Sequence, residues 1–168
     1  IYSSNLELNN NNLYIVKSYY FTNLTNLIHL SLESNTISII EELAFSSLHS
    51  LQTLNLENNC IFRLDPNLFT NLINLEYLYL SKNLLTSLNQ NLFLNLTKLK
   101  GLFLGYNRLF DLNENLFSKQ ANLEQLNLKK NFLKKFKINI RFSKLKSLFL
   151  ADNQLTSIEK NDLIESIY

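Results

Sequence analysis

Few side chains in this sequence could catalyse a reaction or hold a metal, and those few are scattered. His29, His49 and Cys60 are the only imidazole and thiol groups in 168 residues. A protein metal site draws on three or four ligands held close together. His29 has only Glu33 nearby, and His49 falls in a loop just before a strand, so no metal site is expected. Cys60 has no histidine placed to activate its thiol. As the single cysteine it cannot form an intrachain disulfide. The carboxylates form no recurring pair for acid–base work. Two glycines are too few for a loop that cradles phosphate. The expectation is a non-enzyme with no catalytic residue and no cofactor.

Two N-glycosylation sequons occur, Asn23-Leu24-Thr25 and Asn95-Leu96-Thr97. With 27 asparagines and 24 serines plus threonines, random order would give roughly four such triplets. Two is no enrichment; they are compatible with secretion without marking it. A net charge of +2 does not by itself suggest a nucleic-acid binder. Within these 168 residues no apolar run reaches the ~18 residues of a membrane span and no stretch reads as a basic-plus-apolar leader; these limits say nothing of what lies outside them. With no methionine at all, the chain is expected to be a processed product or a piece of a longer protein.

The elements that position these residues follow from one period. Asn11, Asn35, Asn59, Asn83, Asn107, Asn131 and Asn153 are separated by five steps of 24 residues and one of 22. Around each lies the phrase L-x-x-L-x-L-x-x-N-x-L, as in "LQTLNLENNCI" and "LEYLYLSKNLL". A fixed period of this length signals a solenoid, in which each repeat is one coil stacked on the next. Positions four and six are leucine in every repeat, from Leu6 and Leu8 to Leu148 and Leu150. Two-residue spacing puts both on one face of a short strand, with the residues between and beside them facing solvent. The asparagine then sits at the turn, where its amide can satisfy backbone groups left unpaired. Phe21, Phe45, Phe69, Phe93 and Phe117 recur at position nineteen and should stack as core along the convex half. Short turns of 3₁₀ type and extended backbone are expected there, with Pro66 in a segment that needs no ladder hydrogen bond.

These phrases closely resemble the leucine-rich repeat family in its 24-residue class, over nearly the whole chain. The resemblance implies an α/β fold, a horseshoe solenoid whose parallel β-sheet lines the concave face. It also implies a place among extracellular receptors, adhesion and matrix proteins, Toll-like receptors and Slit-type guidance proteins included. One domain of about seven repeats is expected, at 1–26, 27–50, 51–74, 75–98, 99–122, 123–144 and 145–168. Repeat six is two residues short and lacks the position-nineteen ring; Ile138, Ile140 and Phe142 are expected to refill that core. Gln120 replaces a late leucine in repeat five, so curvature is expected to change over residues 118–144. The polar first repeat, "SSNLELNNNN", reads as a weak cap or a degenerate repeat. The last repeat stops at Tyr168 and should leave an apolar edge.

Function is sought in the columns that vary. Column five reads Glu7, Ser31, Asn55, Tyr79, Phe103, Asn127, Phe149, and column three reads Asn5, His29, Thr53, Tyr77, Gly101, Gln125, Ser147. Strands lie about 4.8 Å apart, so Tyr77, Tyr79, Phe103 and Tyr106 should form one aromatic patch, with a hollow beside Gly101. Phe149 lies two repeats on. Exposed aromatics are enriched at protein hot spots, although aromatics also suit strands for packing. Charge is polarised as well. Glu7, Glu33, Glu41, Glu42 and Glu57 come early; Lys119, Lys129, Lys130, Lys134, Lys135, Lys137, Arg141, Lys144 and Lys146 come late. The basic run reads as a solvated face or as steering for an acidic partner, either a glycan or a protein. Phe132, Phe136 and Phe142 within it are expected in the core. The expected function is a protein-binding module of an extracellular or cell-surface protein. An intracellular scaffold, or a recognition domain attached to an enzyme, are the alternatives.

Overall fold

A computed structural model describes residues 3–137 and 142–157. Seven three-residue strands build one parallel sheet: β1 (Asn5–Glu7), β3 (His29–Ser31), β5 (Thr53–Asn55), β6 (Tyr77–Tyr79), β7 (Gly101–Phe103), β8 (Gln125–Asn127) and β9 (Ser147–Phe149). Neighbours pair in strict repeat register, so Leu30, Leu54, Leu78, Leu102 and Leu126 stand side by side. The short sixth repeat keeps that register, with Leu126 opposite Leu148, so its deletion is absorbed outside the sheet. A second, two-stranded parallel sheet joins β2 (Ile15–Val16) to β4 (Ile39–Ile40) on the descending side of the first two coils. The repeat phrase gives no sign of it.

The central residue of each strand turns inward, and the interior leucines at positions one, four and six are essentially fully buried. Phe45, Phe69, Phe93 and Phe117 fill the opposite half of the coil at zero exposure. Their rings, with Phe21, stack at centroid spacings of 6.1, 6.4, 6.5 and 6.3 Å and nearly parallel planes. Phe142 continues the column past the deletion, 6.0 Å from Phe117 but tilted by 52°. That bears out its expected role; Ile138, Ile140, Arg141 and Tyr168 lie outside the described residues. Phe136 is also buried, but Phe132 is 48% exposed, against the expectation of core. Its position ten alternates with the inward-facing eleven, held by Leu133, so its side chain points out.

The asparagine ladder is a set of clips between coils. Asn83 accepts the Ile61 N–H of the preceding coil at 3.0 Å and donates to the Leu56 carbonyl there at 2.9 Å. The same amide donates to the Leu80 and Ser81 carbonyls of its own coil. Asn35, Asn59, Asn107, Asn131 and Asn153 repeat this pattern. Asn11 is different: it is exposed and bonds only Leu8 and Asn9 of its own coil.

One residue before each ladder asparagine, the backbone is left-handed. Asn10, Ser34, Asn58, Lys82, Tyr106, Lys130 and Asp152 all have φ between 53 and 58°. This reverses the chain off the strand without a glycine. The convex return then runs through isolated i→i+3 turns, for example Ala44 to Glu41, Ser46 to Leu43 and Leu48 to Phe45. Pro66 opens one of them, where Asp65 accepts the Leu68 and Asn67 N–H groups. A second asparagine system stitches this side. Asn71, Asn74, Asn95 and Asn122 each donate to a carbonyl one coil back, at 2.8–3.0 Å.

Gln120 is fully buried where other coils hold leucine. Its Nε2 donates to the Phe93 carbonyl at 2.6 Å and weakly to Leu96 at 3.4 Å, while Oε1 has no partner. Both carbonyls already accept backbone N–H groups, so the amide is not needed to satisfy them.

Two stability measurements follow. Asn83→Ala orphans the buried Ile61 N–H and should cost about 1–3 kcal/mol in urea unfolding. Asn11→Ala, at an exposed site whose amide bonds only carbonyls of its own coil among the described residues, should cost clearly less. Gln120→Leu removes a buried acceptor without a partner and restores the leucine of the other coils. It should raise stability by about 1 kcal/mol, visible as a higher urea midpoint at unchanged slope.

Candidate binding surface on the parallel sheet

The outward residues of β6 and β7 make the largest aromatic cluster on the concave sheet. Register places Tyr77 beside Gly101 and Tyr79 beside Phe103. The Tyr79 and Phe103 rings stack with centroids 4.6 Å apart and planes within 2°. Such pairs contribute about 0.5–1.5 kcal/mol beyond area burial. Gly101 does not leave the expected hollow. A Cβ there would meet Tyr77 Cδ1 at 2.7 Å and Phe103 Cε2 at 2.9 Å, so the Tyr77 ring lies across the glycine. The absent side chain is what lets three rings pack into one platform.

Tyr106 stands apart from that platform. It sits in the left-handed turn beyond β7, 40% exposed, with Lys129 Nζ 5.2 Å and Lys130 Nζ 5.0 Å from its ring centre. Phe149 is 47% exposed on β9, separated from Phe103 by Asn127 in the same row. Burial, and then the proximity of Tyr77 and Glu57, raise the Tyr79 hydroxyl above the ordinary phenol range. Glu57 itself pairs with Lys82 at 2.9 Å, and Glu33 accepts from Asn55 at 2.9 Å.

Part of the late basic run is already engaged by partners. Lys137 pairs with Glu114 at 3.3 Å. Lys146 pairs with Glu124 and Lys100 with Glu76, both at 2.7 Å, along the rim where the strands begin. Lys98 and Lys144 bond Asn74 and Asn122 there. Glu76, Lys98, Lys100, Asn122, Glu124 and Lys144 line a cleft of about 220 Å³ in which each lysine already has a partner. The alternation comes from the second column, Glu76, Lys100, Glu124, Lys146, a pattern present in the sequence but hidden by reading charge along the chain. The pairing raises Lys100 and lowers Glu124 from their ordinary values.

His29 is exposed on β3 and Cys60 is exposed after the ladder turn. Among the described residues no three histidine, cysteine or carboxylate groups come together, and no helix is long and apolar enough to cross a membrane. Both sequon asparagines are exposed. Asn95 spends its amide nitrogen on the Thr70 carbonyl at 3.0 Å, whereas Asn23 is held at a positive φ of 70°.

The raised Tyr79 hydroxyl gives a pH test. The folded state favours the neutral phenol, so its contribution is complete below about pH 10 and is lost as pH rises through the raised value. Ultraviolet titration of the phenolate band should show a step above the ordinary phenol range, and Tyr79→Phe should remove it.

The leucine-rich repeat family model matches residues 4–61 and again 52–109, more than half of the chain. No curated protein matches it significantly. Among solved structures, a chain of the Toll–Spatzle complex of Drosophila superposes with a TM-score of 0.82 at 26% identity, covering 89% of this chain. The APL1 leucine-rich repeat domain gives 0.75 at 27% identity over 79% of this chain and 36% of that one. The TLR13–ssRNA13 complex gives 0.68 at 32% identity over 86%. The chain spans 21% of the matched Toll–Spatzle chain and 20% of the TLR13 chain. On the family match and the stacked parallel coils together, this chain belongs to the leucine-rich repeat family.

Proposed function

We propose that this chain is a non-catalytic protein-binding module, one leucine-rich repeat domain of seven coils within a longer extracellular receptor, adhesion or matrix protein. The ligand docks on the concave sheet, with Tyr77, Tyr79 and Phe103 as the central anchor and Tyr106 and Phe149 at its margins. The observation that carries this reading is the three-ring platform built over Gly101. A parallel sheet of three-residue strands needs only its inward leucines, so large outward rings are not required for folding. Rigid aromatics give contact area at low entropic cost and dominate measured hot spots. The matched structure of Toll with Spatzle lends support to a protein ligand, and that of TLR13 with a single-stranded RNA supports a binding role only in general. The extracellular setting rests on those matched structures, and the exposed sequons at Asn23 and Asn95 are compatible with it.

Tyr79→Ala and Phe103→Ala should each weaken binding of the natural partner by about tenfold or more, as expected for a hot spot worth over 1.4 kcal/mol. Gly101→Ala should do the same by pushing the Tyr77 ring aside. Unchanged affinity in all three, measured by calorimetry with folding verified, sinks the reading. Glycan occupancy at Asn23 or Asn95 in the native host tests the compartment.

A further inference from the structure

Beside the platform, Lys129 and Lys130 both bring their ammonium groups to the single Tyr106 ring, at 5.2 and 5.0 Å. Neither ion-pairs with a carboxylate among the described residues, in contrast to Lys82, Lys100, Lys137 and Lys146. Asp152, one coil beyond Lys130, makes no ion pair with it. The ring holds two like charges in place by cation–π attraction, which lowers the entropy lost when they engage an anion.

The backbone supplies an independent sign. Position eight is left-handed in every coil; it holds Asn10, Asn58 and Asp152, residue types that tolerate this conformation, and the small Ser34 in the second coil. In three successive coils it holds Lys82, Tyr106 and Lys130 instead, at φ of 55, 55 and 53°. The long side chains at this turn fall in three consecutive coils, two of which, Tyr106 and Lys130, meet at this spot.

We propose that Lys129, Lys130 and Tyr106 form a subsite for one acidic side chain of an extended protein segment, whose apolar neighbour packs on the Tyr79–Phe103 stack. This rests on the concave docking described above and specifies its partner. Tyr106 follows Phe103 by three positions, which bounds their backbone separation at about 10 Å. The segment therefore carries an Asp or Glu within about two to four residues of its apolar anchor. A polyanion fits less well. A nucleic acid or sulfated glycan needs a continuous basic track, but the column of Lys129 reads Glu33, Glu57, Ser81 and Gly105 in the four preceding coils, and Asp152 follows Lys130 in the next. The paired lysines of the opposite rim are already neutralised.

The test is selection of displayed random dodecapeptides on the folded 168-residue chain, followed by fluorescence-polarisation affinities of enriched peptides. Support is an enriched class pairing an acidic with an apolar residue at that spacing. Its affinity should fall at least tenfold on changing the acid to its amide, and equally on Lys129→Gln with Lys130→Gln. Raising sodium chloride from 50 to 500 mM should weaken it in the same direction. Circular dichroism checks that the lysine variant is folded. No acidic enrichment, or affinity indifferent to the lysine variant, overturns the proposal. So does a labelled oligouridylate or heparin oligosaccharide that binds tighter than the peptides through the same lysines. Peptides sensitive to Tyr79→Ala but not to the lysines would overturn this subsite alone and leave the docking face standing; the reverse pattern would separate the subsite from that face.

Discussion

The hydrogen bonds of the ladder asparagines are the constraint on which the rest of this solenoid depends. Each strand contributes only three residues to the sheet, so strand pairing alone fixes little of a 24-residue coil. At the turn the backbone must reverse, and its N–H and carbonyl groups point where no strand partner exists. One primary amide resolves this by accepting from the preceding coil and donating to both. No shorter or charged side chain offers an acceptor and two donors at that reach. Because every interior rung clips two coils, the register between them is fixed to the residue.

A fixed register turns surface chemistry into columns. Any two residues one repeat apart become neighbours across the sheet, so a pair of unremarkable residues in the chain becomes an interaction in space. Tyr79 stacks on Phe103 for this reason, and Glu76 meets Lys100 for the same reason. The phenylalanine column obeys it within the core and tilts only where repeat six is short. Stability and recognition thus use one geometric device on opposite sides of the strand. Inward residues must be nearly identical from coil to coil, whereas outward residues are free to differ.

That division explains what could be read from the sequence. The ladder, the leucine columns and the phenylalanine spine were legible because burial demands the same residue type every 24 positions. Gln120 could be seen as a departure, but not that half of its amide would find a partner and half would not. Phe132 was misplaced because its composition says core and only its parity within the coil says surface. The hollow at Gly101 failed for a similar reason. A missing side chain marks available space, but which neighbour fills it depends on rotamers that spacing does not encode. The left-handed position eight was hidden because no glycine marks it; only Asn10, Asn58 and Asp152 hint at it.

Position eight also shows how this fold can tolerate a locally poor residue. A bulky side chain in left-handed backbone costs roughly 1–2 kcal/mol, enough to matter in an isolated turn. Here the conformation is set by bonds on either side: the Tyr106 N–H donates to Lys129 O, and the next residue, Asn107, is a ladder rung. The turn will form whatever occupies it, so the residue type is released from the duty of forming it. Lys82, Tyr106 and Lys130 use that freedom in adjacent coils: Lys82 reaches Glu57, and Lys130 reaches the Tyr106 ring. Local propensity is sacrificed where the fold over-determines the backbone, which is where departures from it most often carry function.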